Sequence, residues 1–139
     1  MNKYQFKDIY VGLIEKFQVT VTTEMLAQFC GITGDVNPLH TDENFAKARG
    51  YESNVAYGML TASFLSTLAG VYLPGERSLI HSVESKFTKP VYAGDTLTVS
   101  GQVTECNDMF SAFTMKTTIV NQNGEKVLRG KMQVGVLED

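Results

Sequence analysis

The sequence predicts an α+β fold, with helices in its first half and an antiparallel sheet in its second. Three observations predict it. After one early strand, apolar residues recur at helical spacing in successive segments up to about residue 72. From Ser78 onward the chain reads as strand after strand. Short turns rich in Asn, Asp and Gly separate those segments, and connections that short join only antiparallel neighbours. Helices followed by strands give α+β, and the arrangement this order suggests is one long buried helix with a curved antiparallel sheet around it.

Each element has its own justification. Phe17, Val19 and Val21 alternate with Lys16, Gln18 and Thr20, which is strand periodicity. The stretch TTEMLAQFCGITG is helical: Thr22 or Thr23 caps it, Met25, Leu26, Phe29 and Cys30 share a face, and Gly31 and Gly34 end it. TDENFAKARG is a second short helix, with Asp42 and Glu43 in its first turn and Lys47 and Arg49 in its last, both favourable to the helix dipole. From Gly58 to Tyr72 large apolar residues go most of the way round a helical wheel, so that helix is expected to be enclosed by protein. It would be roughly 22 Å long at ~1.5 Å per residue. Strands are expected in LIHSVESKF, TLTVSGQVTEC, FSAFTMKTTIV and EKVLRGKMQVGV, with turns at Asn107-Asp108 and at Asn121 to Gly124.

Composition narrows the function classes. At 139 residues the chain is one domain, 1–139, without repeats or linkers. It is 43% hydrophobic and 19% charged, which is globular composition. A net charge of −3 without a basic cluster argues against nucleic acid as a partner. The polar start MNKYQFKDIY is not expected to act as a secretory leader, and the longest apolar segment is too short and too interrupted by Ser and Thr to be expected to span a membrane. Cys30 and Cys106 form no disulfide framework and read as small buried hydrophobes in a reducing cytoplasm. Two distant histidines make no metal cluster, and phosphate-loop and dinucleotide fingerprints are absent.

The chemistry concentrates in GDVNPLH, residues 34 to 40. Gly, Asp, Asn and Pro are turn formers, and Pro38 disfavours helix at Asn37, so the chain is expected to be bent and extended here. Such a loop aims Asp35 and His40 at one small volume, where a carboxylate and an imidazole divide acid and base duties. Asn37 bonds back to the loop or holds a water. A turn alone would explain everything but His40.

The stretch FCGITGDVNPLHTDENFA resembles the signature of the MaoC-like (R)-specific enoyl-CoA hydratases and acyl dehydratases: an aromatic, then G-D-x-N-P-[apolar]-H, then Ala after a short spacer. Gly58-Met59-Leu60 with Ala62-Ser63 resembles the start of that family's long central helix, and FTKPVYAGD resembles its later strand-turn. The similarity runs from about residue 10 to the C-terminus. It implies a hot-dog fold, in which the antiparallel sheet wraps the long helix and subunits pair as a homodimer or a dimer of dimers. It also implies a substrate carried as a thioester of coenzyme A or of an acyl carrier protein, with no further cofactor, no metal and no membrane partner. The implied reaction is reversible addition of water across a trans-2 double bond to give an (R)-3-hydroxyacyl thioester.

By that resemblance Asp35 and His40 are the catalytic dyad. Gly58 offers an oxyanion donor, since it opens the long helix where N–H groups are free and lacks a side chain that would keep the thioester away. Ser66 matches a serine lining the family's site and would steady Asn37, His40 or the water. One departure stands out: the family commonly has His before that Gly, whereas here the sequence reads Ala56-Tyr57-Gly58. His81 reads as an ordinary sheet residue, and Arg77, Lys86 and Lys89 as solvated charge. Two other readings compete. A non-catalytic acyl-CoA binding module would have little reason to keep both Asp35 and His40. A hot-dog thioesterase lacks its acid, because residues 59 to 73 contain no Asp or Glu.

Overall fold

The predicted strands become β1 (Ile14–Thr20), β2 (Ser78–Phe87), β3 (Thr96–Asn107), β4 (Ala112–Val120) and β5 (Lys126–Val136) in a computed structural model that describes all 139 residues. They form one sheet in the order β1-β3-β4-β5-β2, with every neighbouring pair antiparallel. The two short turns close the β3–β4 and β4–β5 hairpins, as their turn residues require. Register shifts at Ile80/Ser82, Val103/Glu105 and Ile119/Val120 interrupt three of the ladders, and such irregularities bend a sheet.

Four helices precede β2. The first is α1 (Thr23–Thr33), in which Thr22 Oγ1 accepts from Met25 N at 3.1 Å and Gly34 ends the helix in the left-handed conformation at φ 73°. Then come α2 (Pro38–Thr41) and α3 (Glu43–Lys47), the latter capped by Asp42, whose carboxylate accepts from Phe45 N at 3.1 Å. The long apolar segment begins as α4 (Gly58–Thr67).

Three expectations need correction. Residues 38 to 41 are helical rather than extended: Pro38 stands at the first helical position, where its missing N–H costs nothing, and Asn37 Oδ1 caps the turn by accepting from Leu39 N at 2.9 Å. Within the first helix Gly31 does not act as a stop, and Gly34 alone ends it. The long helix is not α-helical to Tyr72, since Leu68–Tyr72 widens into a π-helical turn.

Nor is α4 enclosed on all sides. Leu60, Thr61 and Leu65 are buried, but Met59 is 66% exposed and Ser63 and Ser66 face solvent. A single five-stranded sheet covers one flank of a helix only. The core lies between that flank and the sheet, where Leu65 and Leu68 meet a layer of Leu97, Val99, Phe113, Met115, Ile119, Leu128 and Met132. Each such side chain contributes about 1.5–3 kcal/mol when fully buried. No helix is long and apolar enough to cross a membrane.

Candidate active site

The two flanks of the GDVNPLH stretch are anchored differently. His40, on α2, is tied to residues 54 and 55 by two hydrogen bonds and its neighbour Leu39 by a third: the His40 Nδ1 lies 2.7 Å from the Val55 carbonyl, the His40 carbonyl accepts from Asn54 Nδ2 at 2.9 Å, and Val55 N donates to the Leu39 carbonyl at 2.9 Å. A carbonyl can only accept, so the neutral ring carries its proton on Nδ1 and its lone pair on Nε2. Residues 54 and 55 lead straight into α4, and Ala56 N donates to the Val91 carbonyl at 2.7 Å. The imidazole is thereby fixed to the start of the helix.

Asp35 is exposed and held mainly by its neighbours. Its Oδ1 accepts from Asn37 N at 3.1 Å, an Asx turn, and its N–H donates to Thr33 Oγ1 at 3.2 Å. Its carbonyl accepts from the Tyr57 hydroxyl at 2.6 Å. Tyr57 is only 2% exposed, its ring centroid 4.2 Å from that of His40 and 5.1 Å from that of Phe29. Burial, then the Cys30 thiol beside it and the Asp35 charge, push the phenol up to about 12.

A cavity of about 310 Å³ opens beside His40, lined among others by Tyr51, Gly58, Thr61, Phe87 and Val127. Gly58 is the first residue of α4, and its N–H finds no acceptor within the chain. A methyl group on Gly58 would sit 3.2 Å from the Phe87 ring, so the absence of a side chain keeps that part of the wall clear. Lys89, at the rim, is paired with Glu125 at 2.5 Å and holds that carboxyl below its usual range.

Of the residues singled out from sequence, His40 and Gly58 line one cavity. Asp35 and Asn37 stand on the approach to α2, joined to the cavity wall through Tyr57, and their side chains do not line it. Asn37 is committed to its cap. Ser66 lies eight residues beyond Gly58 on the exposed flank of α4, without a hydrogen bond to Asn37 or His40. His81 is exposed at the β2 irregularity, remote from this cavity, and Arg77 pairs with Asp139. Sequence reasoning missed Val55, whose contribution is a main-chain carbonyl, and Phe87, which is adjacent to Gly58 only through the fold. No three His, Cys, Asp or Glu side chains gather at metal-binding separation.

The chain belongs to the MaoC like domain family, which matches residues 13–124. It is 32% identical over 133 residues to an (R)-specific enoyl-CoA hydratase of Rhodospirillum rubrum, covering 96% of this chain and 92% of the relative. The structure of the (R)-hydratase from Aeromonas caviae involved in PHA biosynthesis superposes with a TM-score of 0.90 at 30% identity, over 94% of this chain and 99% of that one. The unliganded R-hydratase from Pseudomonas aeruginosa gives a TM-score of 0.90 at 27% identity, over 97% of this chain and 86% of that one. The sheet and α4 described above are therefore a hot-dog fold.

Proposed function

We propose that this chain is a hydro-lyase that adds water reversibly to trans-2-enoyl thioesters of coenzyme A, or of an acyl carrier protein, giving (R)-3-hydroxyacyl thioesters. The observation that carries the reading is His40: its Nδ1 is occupied by the Val55 carbonyl, which leaves Nε2 as the free nitrogen, and the residue lines one cavity together with Gly58. Relatives named (R)-specific enoyl-CoA hydratase support the reaction class and its stereochemistry.

In this reading a water sits between Asp35 and His40. Nε2 takes one proton as the water oxygen bonds to C3 of the enoyl group. The electrons of the double bond move through C2 onto the thioester oxygen, which the Gly58 N–H and the positive end of α4 stabilise. The imidazolium then returns its proton to C2, so water is added and His40 is restored. The Asp35 carboxylate orients the water and favours the imidazolium. Asn37 holds the turn that presents both groups, and Ser66 would steady the water once its flank of α4 is covered.

A second copy of the chain supplies that cover. β2 pairs only with β5 and leaves its other edge free. Leu79 (49% exposed), Val83 (47%) and Phe87 (51%) stand along that strand, with Met59 exposed on α4. An unpaired, apolar edge of this kind is a template for pairing with another chain. Sedimentation at micromolar concentration is expected to show a dimer, and a monomer would remove this part of the reading.

The test of the reaction is loss of enoyl absorbance when the protein is mixed with crotonyl-CoA, longer enoyl-CoA thioesters and enoyl-carrier-protein substrates. Turnover on any of these, with a chiral (R)-3-hydroxy product, is the expected result. Binding without turnover would leave an acyl-thioester binding module, and release of free thiol would indicate thioester hydrolysis. Either would replace the hydratase reading.

A further inference from the structure

We propose that Tyr57 is a positioning residue for the Asp35–His40 pair: its hydroxyl pins the Asp35 main chain while its ring supports the imidazole, so one rigid side chain sets the separation of the two groups. The inference rests on the hydratase reading of the site.

Tyr57 occupies the N-cap position of α4, where Ser, Thr, Asp or Asn would stabilise the helix by accepting from its free N–H groups. It makes no such cap. The helix forgoes that stabilisation, and the side chain is directed elsewhere. Its hydroxyl reaches 22 residues back to the Asp35 carbonyl at 2.6 Å. The other bonds holding Asp35 reach only two residues, to Thr33 and Asn37. Those two bonds are local to the turn, which runs on through Asn37 into α2, whereas Tyr57 ties Asp35 to the start of α4, where the imidazole is also anchored.

The ring cannot move aside. It is buried between Phe29 and His40, inclined 49° to the first and 30° to the second. Tyr has only two side-chain torsions, so confinement of the ring also fixes the hydroxyl. The raised phenol pKa keeps it a donor throughout the neutral range. The turn does not depend on this hydrogen bond alone, because Asp35 is also bonded to Thr33 and Asn37 within an exposed stretch. Phe at position 57 would fill the same space. The hydroxyl is therefore explained by the position of Asp35 rather than by the core.

Tyr57→Phe removes that oxygen alone. Its kcat on the best enoyl thioester is expected to fall roughly 10- to 100-fold with KM changed by less than about 2-fold, the pattern of a misplaced reacting group. In an Asp35→Asn background the same change is expected to cost less than about 3-fold, since the group it positions is already disabled. A kcat within about 2-fold of wild type overturns the proposal, and so does an equal loss in both backgrounds, the mark of general loosening. Should the wild-type protein turn over no enoyl thioester, the hydratase reading fails separately, and NMR then decides on Tyr57. Shifted or broadened signals from the Asp35–Asn37 amides and the His40 ring in Tyr57→Phe support positioning; an unchanged spectrum overturns it.

Discussion

His40→Asn is expected to lower kcat about 10³-fold, the middle of the range for loss of a general acid–base group, with KM altered by less than about 3-fold. Asn is the informative replacement. Its amide nitrogen stands close to where Nδ1 stood and continues to donate to the Val55 carbonyl, which accepts from the ring at 2.7 Å in the native chain. What is lost is Nε2 and its lone pair. The anchored backbone of α2 keeps its own bonds through Asn54 and Val55, so the variant should fold and melt close to wild type. The same logic selects Asp35→Asn as the companion. Asn forms the Asx turn as readily as Asp, preserving the bond to Asn37 N, and only the charge is removed.

If the two groups hold one water, their losses are not independent. The double variant is expected to be little slower than the worse single one, because either substitution already dismantles the unit. Progress curves on enoyl thioester for the three variants, beside their thermal melts, read this directly. Retention of more than about a tenth of wild-type kcat by both single variants would sink the dyad, since general acid–base groups contribute at least 10²-fold.

Much of this site is written in local sequence, and the reasons for the rest are physical. Burial alternates with a period of two along β4 and the first eight residues of β3, a pattern that can be read without a structure, whereas β2 and β5 show it only in part. The four residues of α2 are too few to show any period, and the turn formers around them dominate a local reading. The π-helical turn after Thr67 shifts the repeat by one residue within a segment apolar nearly all round, so no polar face betrays it. Strand order is non-local: nothing in the β2 residues says that β5 rather than β3 will be their partner. The site divides in the same way. Asp35, Asn37 and His40 are three close neighbours and can be found by spacing, whereas the Val55 carbonyl, the Tyr57 hydroxyl and the Phe87 ring join them only through chain reversals. The departure at Tyr57 could be noticed in the sequence; that its hydroxyl meets Asp35 could not.

Gly130→Ala is expected to cost stability on the order of 3 kcal/mol, because it forces backbone rather than side chain to yield. Gly130 lies in β5, opposite Ser85 on one side and Thr117 on the other. A methyl group there would run into the Glu84 carbonyl and close on the Ser85 Cα at 3.1 Å. Neither neighbour is a flexible side chain that can turn away. β5 is held on its other side by β4, which packs Phe113, Met115 and Ile119 into the core, so β2, the edge strand, must give. For a chain of this size the loss corresponds to a melting point lower by roughly 10 °C. The displacement also has a functional reading. Phe87 ends β2 and forms the wall against Gly58, so moving β2 alters the cavity without touching His40. At temperatures where the variant is still folded, KM for the thioester is expected to rise more than kcat falls, the reverse of the His40→Asn pattern. A melt within about 2 °C of wild type would show that the sheet absorbs the methyl group and that β2 is not held against β5 as closely as its glycine implies.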